Sequence, residues 1–485
     1  MTSHFFFPSV SDRHSAPVWQ WSELCHGLEG MSTESNSSHL SGAWAARGVS
    51  IDTRTLVPGD IFVALSGRHH HGISFVDQAV AKGASAVIID QAVLPLLSLS
   101  VPLIRVPDSL TALHQLARYA RQRFQGRLLA ITGSVGKTSV KEGIAQVMRG
   151  HGRTFCTPGN FNNHLGVALS LCLLPAWGEY GIFELGMNRP GEILPLATQV
   201  RPQAALVTHV VYQHGEAFDS LDGIVQEKGS IFATEGLCQG ILPCDSSYEN
   251  ALRQCGPETL SWVTFGDDSR ADIALEKALI DDVDQTTRLT IRTGSTRQTV
   301  HWPMMGHHTY RNALAMIAGS LALGAPLDLI LDRLPGVLPA PGRGQILNFQ
   351  EHCVIDESYN AAPAAMKAAI VTLAQRPCKG RRYVVLGDMK ELGAHTEHFH
   401  RDILETLGQH SWQHVWLCGD GFADIAKSLA REGMTWSQCI DDVVDEIVNT
   451  LRKGDIILVK GSRSARTEAV IEAMRHRYGP ETLGG

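Results

Sequence analysis

Seven consecutive residues, Gly133-Ser134-Val135-Gly136-Lys137-Thr138-Ser139, have the composition of a loop that cradles phosphate. Gly133 and Gly136 let the backbone curl so that the amides of Ser134, Val135 and their neighbours face an anion. A helix opening just after them adds positive partial charge at the same point. Lys137 can reach β- and γ-phosphates, and the hydroxyls of Thr138 and Ser139 are hard oxygen donors, Thr138 standing where a magnesium ligand is needed. The longer standard pattern has Gly five residues before Gly136, where this chain has Ile131, so the loop is the short G-x-x-G-K-T-S form. The plainer alternative is a Gly-rich turn that happens to contain Lys-Thr-Ser. A second acid, Glu184, ends the apolar run Gly181-Ile182-Phe183-Glu184-Leu185. In nucleotide-binding sheets a carboxylate at the C-terminal end of a strand faces the loop and holds the metal.

These side chains need a scaffold, and the flanking sequence predicts one. Leu128 to Thr132 reads as a central strand and Val140 to Met148 as the helix after the loop. Further strand–helix alternation, including the strand Ala204 to Thr208, runs to about residue 335 and argues for a mostly parallel sheet with helices on its faces. Upstream, strands at 48–52, 61–65 and 86–90 and a helix from Phe75 to Lys82, capped by Gly83, form a small α/β unit. Ser32 to Ser38 reads as loop. The Pro- and Gly-rich stretch Leu334 to Gly344 reads as a linker. Beyond it, strands at 353–356, 383–387 and 456–459 form a third, Rossmann-like α/β unit. With 485 residues exceeding one core, the expected division is a leader at 1–17 and domains at 18–123, 124–335 and 336–485.

Bulk composition narrows the classes further. The chain is 44% hydrophobic and 19% charged with a net charge of −7, which excludes disorder as the main state and gives no basic field for nucleic acid. No two of its ten cysteines have C-x-x-C spacing, so reduced thiols are expected rather than a zinc ribbon or disulfide scaffold. No apolar run approaches a membrane span, and Phe5-Phe6-Phe7 is too short for a signal-peptide core. A cytoplasmic monomer, free of membrane, is the expectation.

Several longer strings are far more specific. The short loop, Glu184-Leu185-Gly186 and Thr157-Pro158-Gly159-Asn160-Phe161-Asn162-Asn163 together resemble the Mur ligases of peptidoglycan synthesis. Gly387-Asp388-Met389-Lys390-Glu391-Leu392-Gly393 and Leu458-Val459-Lys460-Gly461-Ser462-Arg463-Ser464 resemble the branch that adds D-Ala-D-Ala to UDP-MurNAc-tripeptide. The likeness runs from about residue 18 to 478, with the segments in the family's order.

The resemblance implies a first domain holding the UDP end of one substrate, a second holding ATP, and a third carrying the dipeptide and closing over the site. By motif, Lys137 would bind ATP phosphates, and Thr138 and Glu184 would hold one of two Mg2+ ions. His214 and a carbamoylated Lys228 would stand near the second. Asn312 would contact adenine, Arg343 would cross the domain boundary toward phosphate, and Asp356 with Glu357 would lie beside the nucleotide. Substrate contacts would come from Ser50, Arg54, Asn160, Asn162, Asn163, Asp388, Lys460 and Ser462. Three positions depart from the family pattern. Thr309 replaces an Asn three residues before Asn312, Glu357 replaces an Asp and extends its carboxylate by about 1.5 Å, and His71-Gly72-Ile73 replaces Asp-Gly-His. The adjacent His69, His70 and His71 read as a solvated loop, because consecutive residues rarely converge on one ion. Folylpolyglutamate synthetase shares such an ATP domain but is expected to lack a first domain like residues 40–110. The diaminopimelate- or lysine-adding Mur ligase is expected to carry Asp-Asn-Pro-Arg, which does not occur here.

Overall fold

The computed structural model describes residues 18–29, 31, 34–35, 44–67, 71–92, 99–213, 215–218, 220–244, 247–281, 286–428 and 433–483. Its centre is the strand Arg127–Thr132, whose last five residues are buried. It pairs in parallel with Tyr180–Glu184 on one side and Ala204–Val207 on the other. A continuous apolar run such as Leu128 to Ile131 is what a strand covered on both faces requires. The nine-stranded sheet continues through Thr154–Cys156 at one edge and through Gln239–Pro243, Ser261–Gly266 and Ile273–Asp281 toward the other. The chain passes from one side of Arg127–Thr132 to the other between Tyr180–Glu184 and Ala204–Val207. Ligand crevices open outside the carboxyl ends of strands at such a reversal.

Three features depart from the sequence expectation. Ile273–Asp281, Thr286–Thr293 and Thr296–Trp302 form an antiparallel ribbon at the sheet edge, which the strand–helix alternation does not mark, while the rest of the sheet is parallel as expected. The period-two pattern of Thr286–Thr293, with Thr287, Leu289 and Ile291 buried, encodes it. Glu34–Ser35, inside the stretch read as loop, pairs antiparallel with Leu103–Val106, because backbone pairing at an edge asks little of side chains. The helix expected from Phe75 begins as a 3-10 turn, Gly72–Phe75, and continues as Val76–Ala81.

The first unit is a five-stranded sheet ordered Glu34–Ser35, Leu103–Val106, Ala86–Asp90, Asp60–Val63, Gly48–Ser50. The helix Ser109–Arg123 packs on His164–Cys172 of the central unit, and one apolar core runs through both, from Trp19 and Leu116 to Phe183 and Leu196. The third unit is a seven-stranded sheet with Arg382–Gly387 between His414–Cys418 and Ile456–Lys460, and with His352–Glu357 beyond. All ten cysteines are free. Among the described residues no helix is long and apolar enough to cross a membrane.

Candidate active site

The loop after Arg127–Thr132 folds as its glycines demand. Gly136 has φ +86° and precedes the helix Lys137–Met148. Gly133 has φ +146°, and a Cβ there would fall 2.0 Å from the Thr208 hydroxyl. Thr208 donates to the Val135 carbonyl (2.6 Å), and Ser134 Oγ donates to the Val211 carbonyl (2.8 Å), so the loop is tied to the segment after Ala204–Val207. Lys137 folds back over it and donates to the carbonyls of Gly133 (2.7 Å) and Ser134 (3.2 Å).

Glu184, only 1% exposed, lies at the end of the neighbouring strand, in register with Ile131. Its Oε2 accepts from Thr138 Oγ1 (2.9 Å) and its Oε1 from Asn162 Nδ2 (2.7 Å). Burial pushes this carboxyl up, but Lys141, Lys137, the Asn162 bond and Arg343 outweigh it and hold the group below the usual carboxylate range. Lys141, fully buried, donates to the carbonyls of Thr157 (2.6 Å) and Gly159 (2.8 Å), and so fixes the segment that delivers Asn160, Asn162 and Asn163. Asn163 also caps the helix His164–Cys172, accepting from Gly166 N (2.9 Å). Lys228, on the helix Leu221–Gly229, is buried behind the loop and donates to the Gly133 carbonyl (3.0 Å). Burial, then the charge of Lys137, pushes its amine well below the ordinary lysine value.

The third unit supplies the opposite wall. Arg343 Nη2 donates to Thr138 Oγ1 (3.3 Å), and its guanidinium lies 4.1 Å from the centre of the Tyr359 ring. A second contact between the units joins Gly215 N to the Glu391 carbonyl (2.8 Å), flanked by Tyr212 packing edge-on to His395. Between the walls is a cleft of about 490 Å³, lined on one side by Lys137, Thr138 and Glu184 and on the other by Arg343, Lys390 and Ser462. The arrangement can bind a polyphosphate at the loop, offer Thr138 and Glu184 oxygens to a hard cation, and place a second reactant against the third unit.

Three models of the Mur ligase family match the chain: the family's catalytic domain at residues 46–121, its middle domain at 131–319, and its glutamate ligase domain at 342–463. The UDP-N-acetylmuramoyl-tripeptide–D-alanyl-D-alanine ligase of Escherichia coli is 34% identical over 445 residues, 88% of this chain and 93% of that one. The chain belongs to the Mur ligase family. Among solved structures, MurF from Acinetobacter baumannii superposes with a TM-score of 0.82 at 27% identity, covering 95% of this chain and all of that one. MurF from Thermotoga maritima, solved in complex with ADP, gives 0.74 at 25% identity, covering 89% and 97%.

The residues singled out from sequence divide into three groups. Ser134, Gly136, Lys137, Thr138, Glu184, Asn160, Asn162, Asn163, Arg343 and Ser462 line the cleft. Others stand one contact behind it. Gly133 receives Lys137 and Lys228, and Asn312 approaches Gly136 so closely that a Cβ there would meet its Oδ1 at 2.6 Å. Asp356 accepts from Gly342 N (3.2 Å) and Ser358 Oγ (2.6 Å), holding the turn before Arg343. Glu357 accepts from Lys460 Nζ (2.8 Å), and Asp388 accepts from Lys390 Nζ (2.7 Å). Ser139 lies within the helix Lys137–Met148.

Ser50 and Arg54 do not line the cleft; Ser50 bonds the Asp52 carbonyl (3.0 Å) and Arg54 forks onto the Asp52 carboxylate. His214 falls outside the described residues, as do His69 and His70. Thr309, in place of Asn, accepts from Trp302 Nε1 (3.0 Å) and donates to the Gly306 carbonyl (2.8 Å), and so fastens the start of the helix His307–Ala322. Sequence reading assigned no role to Lys141, Gln213, Tyr359 or Lys390. A lysine four residues into a helix and a tyrosine after a strand carry no signal of their own; only the fold brings them here.

Proposed function

We propose that this chain joins D-alanyl-D-alanine to UDP-N-acetylmuramoyl-tripeptide at the expense of ATP, releasing ADP and phosphate. The observation that carries the reading is the Thr138–Glu184–Asn162 arrangement at the mouth of the phosphate loop, facing Arg343 and Lys390 across one cleft. Sequence likeness across nearly the whole chain to ligases of that name supports the choice of substrates.

A carboxylate does not condense with an amine at useful speed, because oxide is a poor leaving group. Transfer of the γ-phosphoryl group to the tripeptide carboxylate gives an acyl phosphate and ADP. Attack by the dipeptide amine on the acyl carbon then forms the amide bond, with loss of phosphate and a proton. Lys137 is placed to cradle the β- and γ-phosphates once it leaves the Gly133 and Ser134 carbonyls, and Arg343 approaches the same point from the third unit. Contact between that unit and the loop would keep water from the acyl phosphate.

The donor set fits magnesium: a hydroxyl and an ionised carboxylate, both hard oxygens, with phosphate and water left to complete the shell. Magnesium, when bound, would offset charge on the moving phosphoryl group. Lys228 fits carbamoylation, since burial and the charge of Lys137 favour its neutral amine, the form that attacks CO2. Together with His214 it would then serve a second metal. The units at 18–123, 124–335 and 336–485 are proposed as the UDP-substrate, ATP and dipeptide domains of a cytoplasmic monomer. Phosphate release by purified protein with ATP, magnesium and UDP-MurNAc-tripeptide tests the reading. It should require D-Ala-D-Ala and yield the pentapeptide mass. Release with a folate and glutamate instead, or none with any amine, would overturn it.

A further inference from the structure

We propose that Lys141 is a positioning residue for phosphoryl transfer: it locks the segment that carries Asn160, Asn162 and Asn163 to the helix that follows the phosphate loop, so that the acceptor carboxylate meets the γ-phosphoryl group in line. This rests on the ligase reading above.

Lys141 is fully buried in the helix Lys137–Met148, where Val140, Ile144 and Ala145 are buried as well. A buried charge is costly unless it is paired and hydrogen-bonded, and an apolar side chain would pack there at less cost. The ammonium is fully engaged instead. It donates to the carbonyls of Thr157 (2.6 Å) and Gly159 (2.8 Å) and stands 2.9 Å from the Glu142 carboxylate. Burial works against its charge, but Glu142, Cys156 and Glu184 outweigh it and hold the amine above the ordinary lysine value. An ammonium has three N–H bonds, and these three acceptors take them all. None is left for a substrate, so Lys141 acts on the reaction through the segment it holds.

Lys141 follows Lys137 by four residues, and so stands about 6 Å further along the same face of one helix. The first turn meets the phosphate loop, and the second grips the segment. The segment is then held along its length. Thr157 N donates to the Ile182 carbonyl (2.9 Å), and Gly159 takes φ +50° as its carbonyl turns to Lys141. Asn162 ends on Glu184 (2.7 Å), and Gly186 N donates to the Asn162 carbonyl (2.8 Å). Asn160, Asn162 and Asn163 line the cleft together with Lys137 and Thr138. Donor loop and acceptor segment therefore keep one spacing. In-line transfer needs that spacing to within about 1 Å.

The test is a rapid-quench single turnover with enzyme in excess over ATP and with magnesium, UDP-MurNAc-tripeptide and D-Ala-D-Ala present. The rate of ADP formation reads alignment, and its amplitude reads the fraction of folded enzyme. K141M should slow ADP formation by on the order of 10–100-fold, the scale of a misplacement of about 1 Å, while the Kd of a non-hydrolysable ATP analogue changes by less than about twofold. G159A disturbs the same tether from its other end. A Cβ there meets nothing within 4 Å, so the change acts through the strained left-handed backbone. It should slow transfer by a smaller factor, again with nucleotide affinity kept. E142Q leaves both carbonyl contacts in place and should react at close to the wild-type rate. A merely structural lysine would lower the amplitude and leave the rate, and that result overturns the proposal. So does a fall in nucleotide affinity that matches the fall in rate, because Lys141 would then serve the phosphate loop alone. An E142Q as slow as K141M would place the effect in the ion pair and overturn it too. Should K141M not fold, G159A decides, and ADP formation there at the wild-type rate overturns the proposal. No ADP formation by wild type refutes the ligase reading and this proposal with it.

Discussion

Replacing Glu184 by Gln keeps the shape of the side chain and removes its charge. In the wild type the buried carboxylate accepts one hydrogen bond from Thr138 and one from Asn162. Gln can keep both contacts by turning its oxygen to the Asn162 amide and its NH2 to the Thr138 oxygen. What is lost is charge assistance. Hydrogen bonds to charged groups are worth about 1.5–3 kcal/mol against about 0.5–1.5 for neutral pairs, so two of them imply a loss of roughly 2–3 kcal/mol in unfolding free energy. Lys141 and Lys137 also lose a counter-charge, which adds in the same direction.

The pH dependence has a definite sign. Because the folded carboxyl titrates below its unfolded value of about 4.3, its stabilisation is complete above that value and is lost as pH falls through the folded one. The gap between wild type and E184Q should be level from neutral pH down to about pH 5 and narrow below about pH 4. Urea unfolding across that range reads the gap. Turnover should fall by about 10²–10³, the scale of removing one charge-stabilising group at a reaction centre. A stability gap that widens on acidification, or turnover close to wild type, would refute the reasoning.

Arg343→Ala should lower kcat by about 10²–10³ with little change in unfolding midpoint. Arg343→Lys should rescue only part, since an ammonium lacks the planar face that lies over Tyr359; single-turnover kinetics check both. His400 is buried, accepts from Met389 N at Nε2 and has Nδ1 against the Thr396 carbonyl, an arrangement that requires the neutral ring. Burial lowers its folded pKa, so below the unfolded value of about 6.5 the unfolded chain binds the extra proton and stability falls. Denaturation at several pH values should show that limb in the wild type and a shallower one in His400→Gln, since His209 and His308, also lowered by burial, keep their share. Stripping CO2 from the buffer should lower activity, and bicarbonate should restore it with a carbamate carbon signal from labelled CO2; Lys228→Met should show neither effect.

What could be seen in the sequence was what is local in the chain. The phosphate loop is seven consecutive residues, and its strand and helix are its immediate neighbours, so composition and order reveal it. Glu184 was visible because a strand ends there. The grip of Asn162 on that carboxylate joins positions 22 residues apart. Lys141 looked like any helical lysine, and only its burial against the Thr157 and Gly159 carbonyls gives it work. The Arg343–Thr138 contact joins positions 205 apart; composition and spacing do not mark it, and only the family resemblance turns Arg343 toward the phosphate loop. The ribbon from Ile273 to Trp302 carries a period-two alternation, clearest in Thr287, Leu289 and Ile291, that sets it apart from the strand–helix repeats around it. Ser50 and Arg54 belong to the first unit, where the resemblance implies the UDP end of one substrate, and their side chains are engaged with Asp52.

The central claim is that the carboxylate substrate is activated by phosphoryl transfer at the Gly133–Ser139 loop. It is tested most directly by supplying UDP-MurNAc-tripeptide with both oxygens of its reacting carboxylate labelled with 18O, together with ATP and D-Ala-D-Ala. Through an acyl phosphate, each released phosphate must carry one labelled oxygen and each new amide must retain the other. Label in AMP, or unlabelled phosphate beside a normal product, would contradict the account.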